Sequence, residues 1–166
     1  MESTKALTRW EAKVSTKITK ASADQIWPLV ADFFNLHEWF PGLPTCYGIH
    51  GANGDLGCVR YCAGFSLSAT NHDYPAVEGG PVKWSKEKLT VMDHARRSLT
   101  YEMVDCNVGL RSYVATMAVV VADDGDGCVL EWSFAVDPVE GWSLMDMVKR
   151  YEVGLQGMAR KMEAAF

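Results

Sequence analysis

Hydrophobic and polar residues alternate along most of the chain, a pattern typical of strands that bury one face. The first such segment is 10–20, where Trp10, Ala12 and Val14 share one face and polar residues share the other. Similar strand patterns follow at 46–50, 58–64, 82–92, 98–106, 113–122 and 129–137. Segments rich in glycine or charge separate them and predict turns. The sequence therefore predicts seven strands joined largely by short connections.

A helical signal interrupts the strand pattern after the first strand. Ser22 and Gln25 have the spacing of a capping box before the apolar segment 26–30, which predicts a short helix. Pro28 should end or kink this helix, because proline removes a backbone donor and crowds the preceding turn. A second short helix or turn is predicted over 33–40.

The last part of the chain has helical periodicity. Its apolar residues recur at intervals of three and four, which predicts one stripe of a long helix: Leu144, Val148, Tyr151, Leu155, Met158 and Met162. Ser143 and Asp146 can cap its start. A curved antiparallel sheet of seven strands with this helix across its concave face would bury all the apolar faces. We therefore predict a single α+β domain over 1–166.

Composition narrows the possible functions. The chain has 166 residues, of which 48% are hydrophobic and 22% charged, and this balance excludes a disordered protein. The net charge of −5 and the lack of a basic run argue against nucleic acid as a partner. No targeting segment or stretch of membrane-spanning length is evident. The five cysteines contain no CxxC pair, so we expect reduced thiols and a cytoplasmic protein.

Several classes of chemistry lack their sequence signatures. No His or Cys cluster has the spacing of a metal site, so we expect no metal. No serine or cysteine lies in a nucleophile motif with a histidine, and no glycine loop has a phosphate-binding pattern. Hydrolase, kinase and dinucleotide-binding functions are therefore disfavoured, and we expect no cofactor.

Two residues of opposite charge lie on strand faces whose other residues are mostly apolar or small and are expected to be buried. Glu87 shares a face with Ser85, Leu89 and Val91, and Arg60 shares one with Cys58 and Cys62. A buried carboxylate needs a partner, and Arg60 is the candidate. A guanidinium favours the ionised carboxylate whereas a dry cavity favours the protonated form, so the sequence leaves open whether Glu87 acts as base or acid. A purely structural ion pair is an equal alternative.

Polar groups that could position a ligand lie on the same predicted core faces. Tyr101 and Tyr113 lie on the apolar faces of their strands, so each hydroxyl could reach into a cavity. The more common arrangement is a core tyrosine whose hydroxyl bonds a backbone carbonyl. Trp132 has core spacing and is a candidate contact. On the last helix the candidates are Tyr151, Gly154 and Met158. Glycine within a helix costs about 1 kcal/mol relative to alanine, so Gly154 suggests space for a ligand or another backbone.

These features together resemble the plant lachrymatory-factor synthase group of the pollen-allergen-like, helix-grip superfamily. The segments that carry the resemblance extend from residue 10 over nearly the whole chain: 10–14, 32–37, 57–61, 84–89, 113–117, 132–134 and 140–141. The resemblance implies a cofactor-independent isomerase that converts a sulfenic acid to a thial S-oxide. It implies catalytic roles for Arg60 and Glu87, with Tyr101 and Tyr113 at matching tyrosines.

Departures from the family pattern concern the substrate. Gly154 stands where a family member has tryptophan, which predicts a larger cavity and a different substrate, and Lys83 replaces an aromatic residue. The longer loop from Phe65 to Gly80 is expected to close the cavity mouth. The related abscisic-acid receptors share the Arg60 and Glu87 positions, but their gate and latch motifs are absent at 63–66 and 108–110.

The sequence thus favours an isomerase, lyase or cyclase that acts on a small metabolite in an internal cavity. The alternative is a non-catalytic carrier of a small hydrophobic molecule. Either function predicts a small-molecule partner, without nucleic acid or membrane insertion, and leaves the oligomeric state open.

Overall fold

A computed structural model describes residues 8–65 and 82–166. Its helices are α1 (Ala23–Ala31), a short 3-10 helix (Phe33–Glu38) and α2 (Leu144–Glu163). Its strands are β1 (Trp10–Ile18), β2 (Thr45–His50), β3 (Val59–Ala63), β4 (Trp84–Asp93), β5 (Ser98–Cys106), β6 (Val114–Val121) and β7 (Cys128–Val136). The predicted elements and their order are confirmed.

The seven strands form one curved antiparallel sheet in the order β1-β7-β6-β5-β4-β3-β2. Helix α2 packs against β1 and β7, and α1 packs against β6. The inward faces of the strands and the apolar stripe of α2, including Leu155 and Met162, form the main core. The predicted α+β helix-grip architecture is confirmed, and it leaves β3, β4 and β5 facing the space beside α2.

Both longer helices begin at the predicted capping boxes. The side chains of Ser22 and Gln25 exchange hydrogen bonds with each other's backbone amides, and Ser143 and Asp146 do the same. Of the two effects predicted for Pro28, an end of the helix does not occur, because α1 continues to Ala31. Burial of neighbouring apolar side chains holds this short helix in place although proline removes one backbone donor.

Strand β4 alternates as predicted up to Leu89 and then changes face. Ser85, Glu87 and Leu89 are buried, but Val91 is 47% exposed, so its predicted inward position is wrong. The reason is an irregular register, since Leu89 pairs with Tyr101 whereas Val91 pairs with the adjacent Thr100. A second irregularity lies between Lys86 and Glu87. β-bulges of this kind re-aim side chains and are common beside functional sites.

Candidate functional site

The ion pair predicted from strand alternation is present. Arg60 on β3 and Glu87 on β4 are direct cross-strand partners. Arg60 Nε donates a hydrogen bond to Glu87 Oε1 at 2.8 Å. The two residues are only 4% and 9% exposed, so both charges lie away from bulk water. A buried pair of this kind holds its geometry because either charge without the other would be costly to bury.

Arg60 is held from several sides. Its second donor, Nη1, bonds the carbonyl of Phe33 at 3.0 Å. The guanidinium carbon lies 3.9 Å from the ring centroid of Phe33 and 4.7 Å from that of Tyr101, both within range of cation–π attraction. Burial alone would lower the Arg60 pKa, but the charge of Glu87 opposes this and the pKa ends above its ordinary value. Arg60 therefore remains a fixed cation.

The Glu87 carboxylate divides its contacts between its two oxygens. Oε1 faces Arg60 and also lies 3.9 Å from the thiol of Cys62. Oε2 accepts a hydrogen bond from the hydroxyl of Ser85 at 3.2 Å. Glu87, Ser85 and Cys62 all line a cavity, whereas Arg60 does not. The carboxylate therefore faces the cavity, and the guanidinium supports it from behind.

The cavity has a volume of about 540 Å³ and lies between the sheet and α2. Its sheet side includes Tyr101, Met103, Tyr113 and Trp132 beside the carboxylate group, and its opposite wall includes Tyr151 and Gly154 of α2. The segment after the 3-10 helix covers one side with Phe40, Pro41, Gly42 and Leu43. Exposed Lys149 and Val153 of α2 also line it. The cavity therefore opens to solvent between this segment and α2.

Three buried tyrosines, Tyr101, Tyr113 and Tyr151, add polar groups to the cavity wall. The hydroxyls of Tyr113 and Tyr151 hydrogen-bond each other, and Trp132 Nε1 donates to the Tyr101 hydroxyl at 3.1 Å. The Trp132 and Tyr151 rings stack with centroids 4.2 Å apart. Burial raises the pKa of Tyr101, Tyr113 and Tyr151. Each therefore remains a neutral phenol that can donate a hydrogen bond.

Two predicted contacts on α2 have a different environment from the one expected. Met158 is 1% exposed and packs in the core, and it is not among the residues that line this cavity. Gly154 does line it, but a Cβ atom there would lie 2.7 Å from Cζ of Phe40. The space that the glycine leaves is therefore occupied by the Phe40 ring. The cavity enlargement inferred from Gly154 is offset by this packing.

Sequence reasoning missed several residues of the site. Leu36 lies in the 3-10 helix and Phe40 and Leu43 lie in the segment after it, so strand alternation gives no signal for the direction of their side chains. Ser85 shares a strand face with Glu87, and Cys62 shares one with Arg60. This shared direction is the sequence signal that could have placed both residues in the site. The loop expected to close the mouth lies outside the described residues except for Phe65, which lines the cavity.

Two absences apply to the described part of the chain. Across 8–65 and 82–166, no three His, Cys, Asp or Glu side chains are grouped so that they could hold a metal ion. None of the helices in those ranges combines the length and the apolar character that a bilayer crossing requires.

Solved structures share this fold over nearly the full chain. A major latex-like protein from ginseng, Panax ginseng, has a TM-score of 0.72 at 19% identity, covering 96% of this chain and 98% of that one. The protein XoxI from Bacillus cereus has a TM-score of 0.68 at 22% identity, covering 94% of both chains. At these identities the matches show the fold alone.

The family model described as "Polyketide cyclase / dehydrase and lipid transport" matches residues 9–163. That span contains the whole sheet, the ion pair and α2, and leaves out only residues 1–8 and 164–166. Its description names both enzymes and lipid transport. The chain belongs to this polyketide cyclase/dehydrase and lipid-transport family, with the helix-grip fold and a cavity suited to a ligand.

Proposed function

We propose that the protein is a cofactor-independent enzyme, an isomerase, lyase or cyclase, that acts on a small and largely apolar metabolite. The observation that carries this proposal is the Glu87 carboxylate, which faces a cavity of about 540 Å³ while a buried guanidinium holds it from behind. A structural ion pair would need no such cavity on one side. Polar groups that perform chemistry are often placed in this way, inside an enclosed apolar site.

Glu87 is the proton-transfer group in this proposal. As a carboxylate in a salt bridge, it accepts a proton from one atom of the substrate and returns it to a different atom. The substrate is thereby isomerised with no net gain or loss of protons. Proton transfer by a positioned side chain contributes about 10²–10⁴-fold to the rate. The bond from Arg60 fixes the carboxylate through Oε1, and Oε2, which accepts from the Ser85 hydroxyl, is the oxygen that would exchange the proton with the substrate.

The tyrosines and Trp132 would orient the substrate. The Tyr113 and Tyr151 hydroxyls form one polar pair, and the neutral phenols can donate to an oxygen on which negative charge develops. The aromatic rings stack around the same space and would exclude water from a reactive intermediate. Arg60 contributes through Glu87 and the local field, because the guanidinium itself does not line the cavity.

The finer possibility is the sulfenic acid isomerisation that the sequence resemblance implies. Its support is the matching pair of Arg60 and Glu87 together with both tyrosines. Cys62 bears against it, because its thiol lies 3.9 Å from Glu87 Oε1 and lines the cavity. Sulfenic acids condense with thiols to disulfides. A sulfenic acid at Glu87 would therefore meet a competing reaction, and we favour a substrate without this group.

A carrier function is the second candidate, favoured by one observation. Arg60, Tyr101, Tyr113 and Tyr151 already have protein partners, so the cavity can hold a passive apolar ligand without leaving them unpaired. The family description also includes lipid transport. In this case Glu87 and Ser85 would provide only a polar end to the cavity.

Replacing Glu87 with glutamine tests catalysis. We expect Glu87→Gln to abolish turnover of a plant metabolite extract, judged by comparing metabolites before and after incubation, while ligand retention persists. The amide can still accept from Arg60 Nε. The unfolding free energy should fall by up to about 3–5 kcal/mol, because the buried Arg60 charge then lacks its counter-charge, so turnover is measured per folded molecule.

A matched control separates this effect from a general loss of charge. Glu102→Gln removes a carboxylate on the neighbouring strand that pairs with Lys88 at 3.4 Å and is well exposed. That variant should retain full turnover. Normal turnover in Glu87→Gln, measured per folded molecule, would remove Glu87 from the mechanism, whereas retention of unchanged metabolites by the wild type would favour the carrier function.

A further inference from the structure

Two cysteines form a pair at the wall of the cavity. Cys46 on β2 and Cys62 on β3 are direct cross-strand partners, and their sulfur atoms are 3.7 Å apart. They are 6% and 3% exposed, so bulk solvent has little access to them from outside. Cys62 lines the cavity, and the pair is surrounded by other cavity residues, including Leu43 and Phe40. The cavity is therefore the route by which a reagent reaches these thiols.

The strand geometry allows the two sulfur atoms to bond. Directly opposed residues in an antiparallel pair have Cα atoms about 4.5–5.5 Å apart. This separation falls within the range of about 4.4–6.8 Å that disulfides span. Rotation of the two side chains can therefore close a Cys46–Cys62 bond without a change of strand register.

The pair also holds a nucleophile. The hydrogen bond from the Cys62 thiol, together with the charge of Arg60, lowers the pKa of Cys46 to about 6 against the opposing effect of burial. The same interaction and burial raise the pKa of Cys62. The two sulfurs therefore share one proton, and Cys46 can take that proton from Cys62, the sulfur that lines the cavity, as Cys62 attacks. Thiolates, and not thiols, attack disulfides.

We propose that Cys46 and Cys62 form a two-cysteine exchange site that reduces small apolar disulfides admitted by the cavity. Apolar side chains pack against the pair and the Glu87 carboxylate lies 3.9 Å from Cys62, which disfavours an anionic ligand, and the cavity volume limits the size of the ligand. This activity needs no participation by Glu87. Its failure would leave the proposed proton transfer untouched, and the reverse also holds.

The exchange proceeds in two balanced steps. Cys62 attacks one sulfur of the ligand while the Cys62 proton passes to Cys46. A mixed disulfide between Cys62 and half of the ligand forms, and the other half leaves as a thiolate. This thiolate then takes the proton from Cys46. The Cys46 thiolate then attacks Cys62 Sγ and expels the second ligand thiolate. The S–S bond of the ligand is reduced, and the dithiol is oxidised to a Cys46–Cys62 disulfide. A small thiol that enters the cavity reverses this exchange and restores the dithiol.

The test uses 2,2′-dithiodipyridine, an apolar disulfide whose thione product absorbs light, and the dianionic 5,5′-dithiobis(2-nitrobenzoate) for comparison. With the wild-type protein we expect a fast phase that releases both halves of the apolar reagent. The intact mass should fall by two hydrogen atoms, and peptide mapping should locate the new bond between Cys46 and Cys62. The charged reagent should lack this fast phase.

Variants assign the order of attack. Cys46→Ser should stop at a mixed disulfide on Cys62, with one half of the reagent retained, and Cys62→Ser should lose the fast phase. Cys58→Ala is the matched control, because Cys58 is buried beside the start of the same strand, and it should react like the wild type. The proposal is overturned if the wild-type map shows Cys46 and Cys62 unmodified, or if Cys46→Ser still releases both halves in the fast phase.

Discussion

At the scale of single residues, the site depends on how each buried polar atom finds a partner. Strand alternation was enough to predict that Arg60 and Glu87 face inward and meet, because the pattern has a period of two. The Phe33 carbonyl that completes the guanidinium's contacts belongs to the 3-10 helix, which is remote along the chain. No strand pattern could place it. The Tyr113–Tyr151 bond likewise depends on how α2 docks on the sheet.

The buried tyrosines predict a specific loss of stability at alkaline pH. Burial raises the pKa of Tyr113 and Tyr151 above the unfolded value of about 10. Their contribution to stability is therefore fully present below about pH 10 and is lost as the pH rises towards the folded pKa. Between the unfolded and the folded pKa, each tyrosine is protonated only in the folded state. Over that interval each lowers the free energy of unfolding by about 1.4 kcal/mol per pH unit.

The double variant Tyr113→Phe/Tyr151→Phe measures this contribution. Removing both hydroxyls leaves no unpaired partner, so its stability at pH 7 should be close to that of the wild type. Urea unfolding at about pH 9 to 11 should show a clearly flatter decline than in the wild type, because the folded state no longer holds those protons. Equal slopes in the two proteins would show that these tyrosines do not control the alkaline transition.

At the scale of elements, the packing of α2 against the segment after the 3-10 helix shapes the cavity. The Phe40 ring lies in the space that Gly154 leaves and also contacts Trp132 edge-on, with centroids 5.7 Å apart. Gly157, one turn further along, lies against Pro41, where a Cβ would be 3.1 Å from Cγ. The sequence showed that helical glycines need a reason. It did not show which element approaches them.

Alanine at position 154 tests this packing through its dependence on Phe40. In the wild type, Gly154→Ala should lower the unfolding free energy, because the Cβ atom displaces the Phe40 ring, and overpacking typically costs about 1–3 kcal/mol. In a Phe40→Leu background the shorter side chain makes room. Gly154→Ala should then stabilise the helix by up to about 1 kcal/mol.

Chemical denaturation of the four proteins gives this coupling directly. Additive effects of the two substitutions would contradict the proposed contact between Phe40 and the glycine.

At the scale of the whole molecule, the fold follows from patterns that are local in sequence. Seven alternating segments and one helical stripe determine the sheet and α2, and the capping boxes determine where the helices start. The cavity is different, because it is the volume that the sheet, α2 and the segment 40–43 leave between them. Its shape depends on long-range packing, which explains why Met158 was misplaced and Cys46–Cys62 was missed. Strand alternation identified Arg60 and Glu87, but the larger cavity inferred from Gly154 and the family pattern did not account for the Phe40 ring.

A transfer experiment tests most directly whether the cavity performs chemistry. The compound that Glu87→Gln retains from a metabolite extract is released, purified and added to wild-type protein, and both solutions are followed by mass spectrometry. We predict that the wild type converts this compound to a product with a new chromatographic retention time, while fresh Glu87→Gln leaves it unchanged. Full recovery of the unaltered compound from the wild type would contradict catalysis and identify the protein as a carrier.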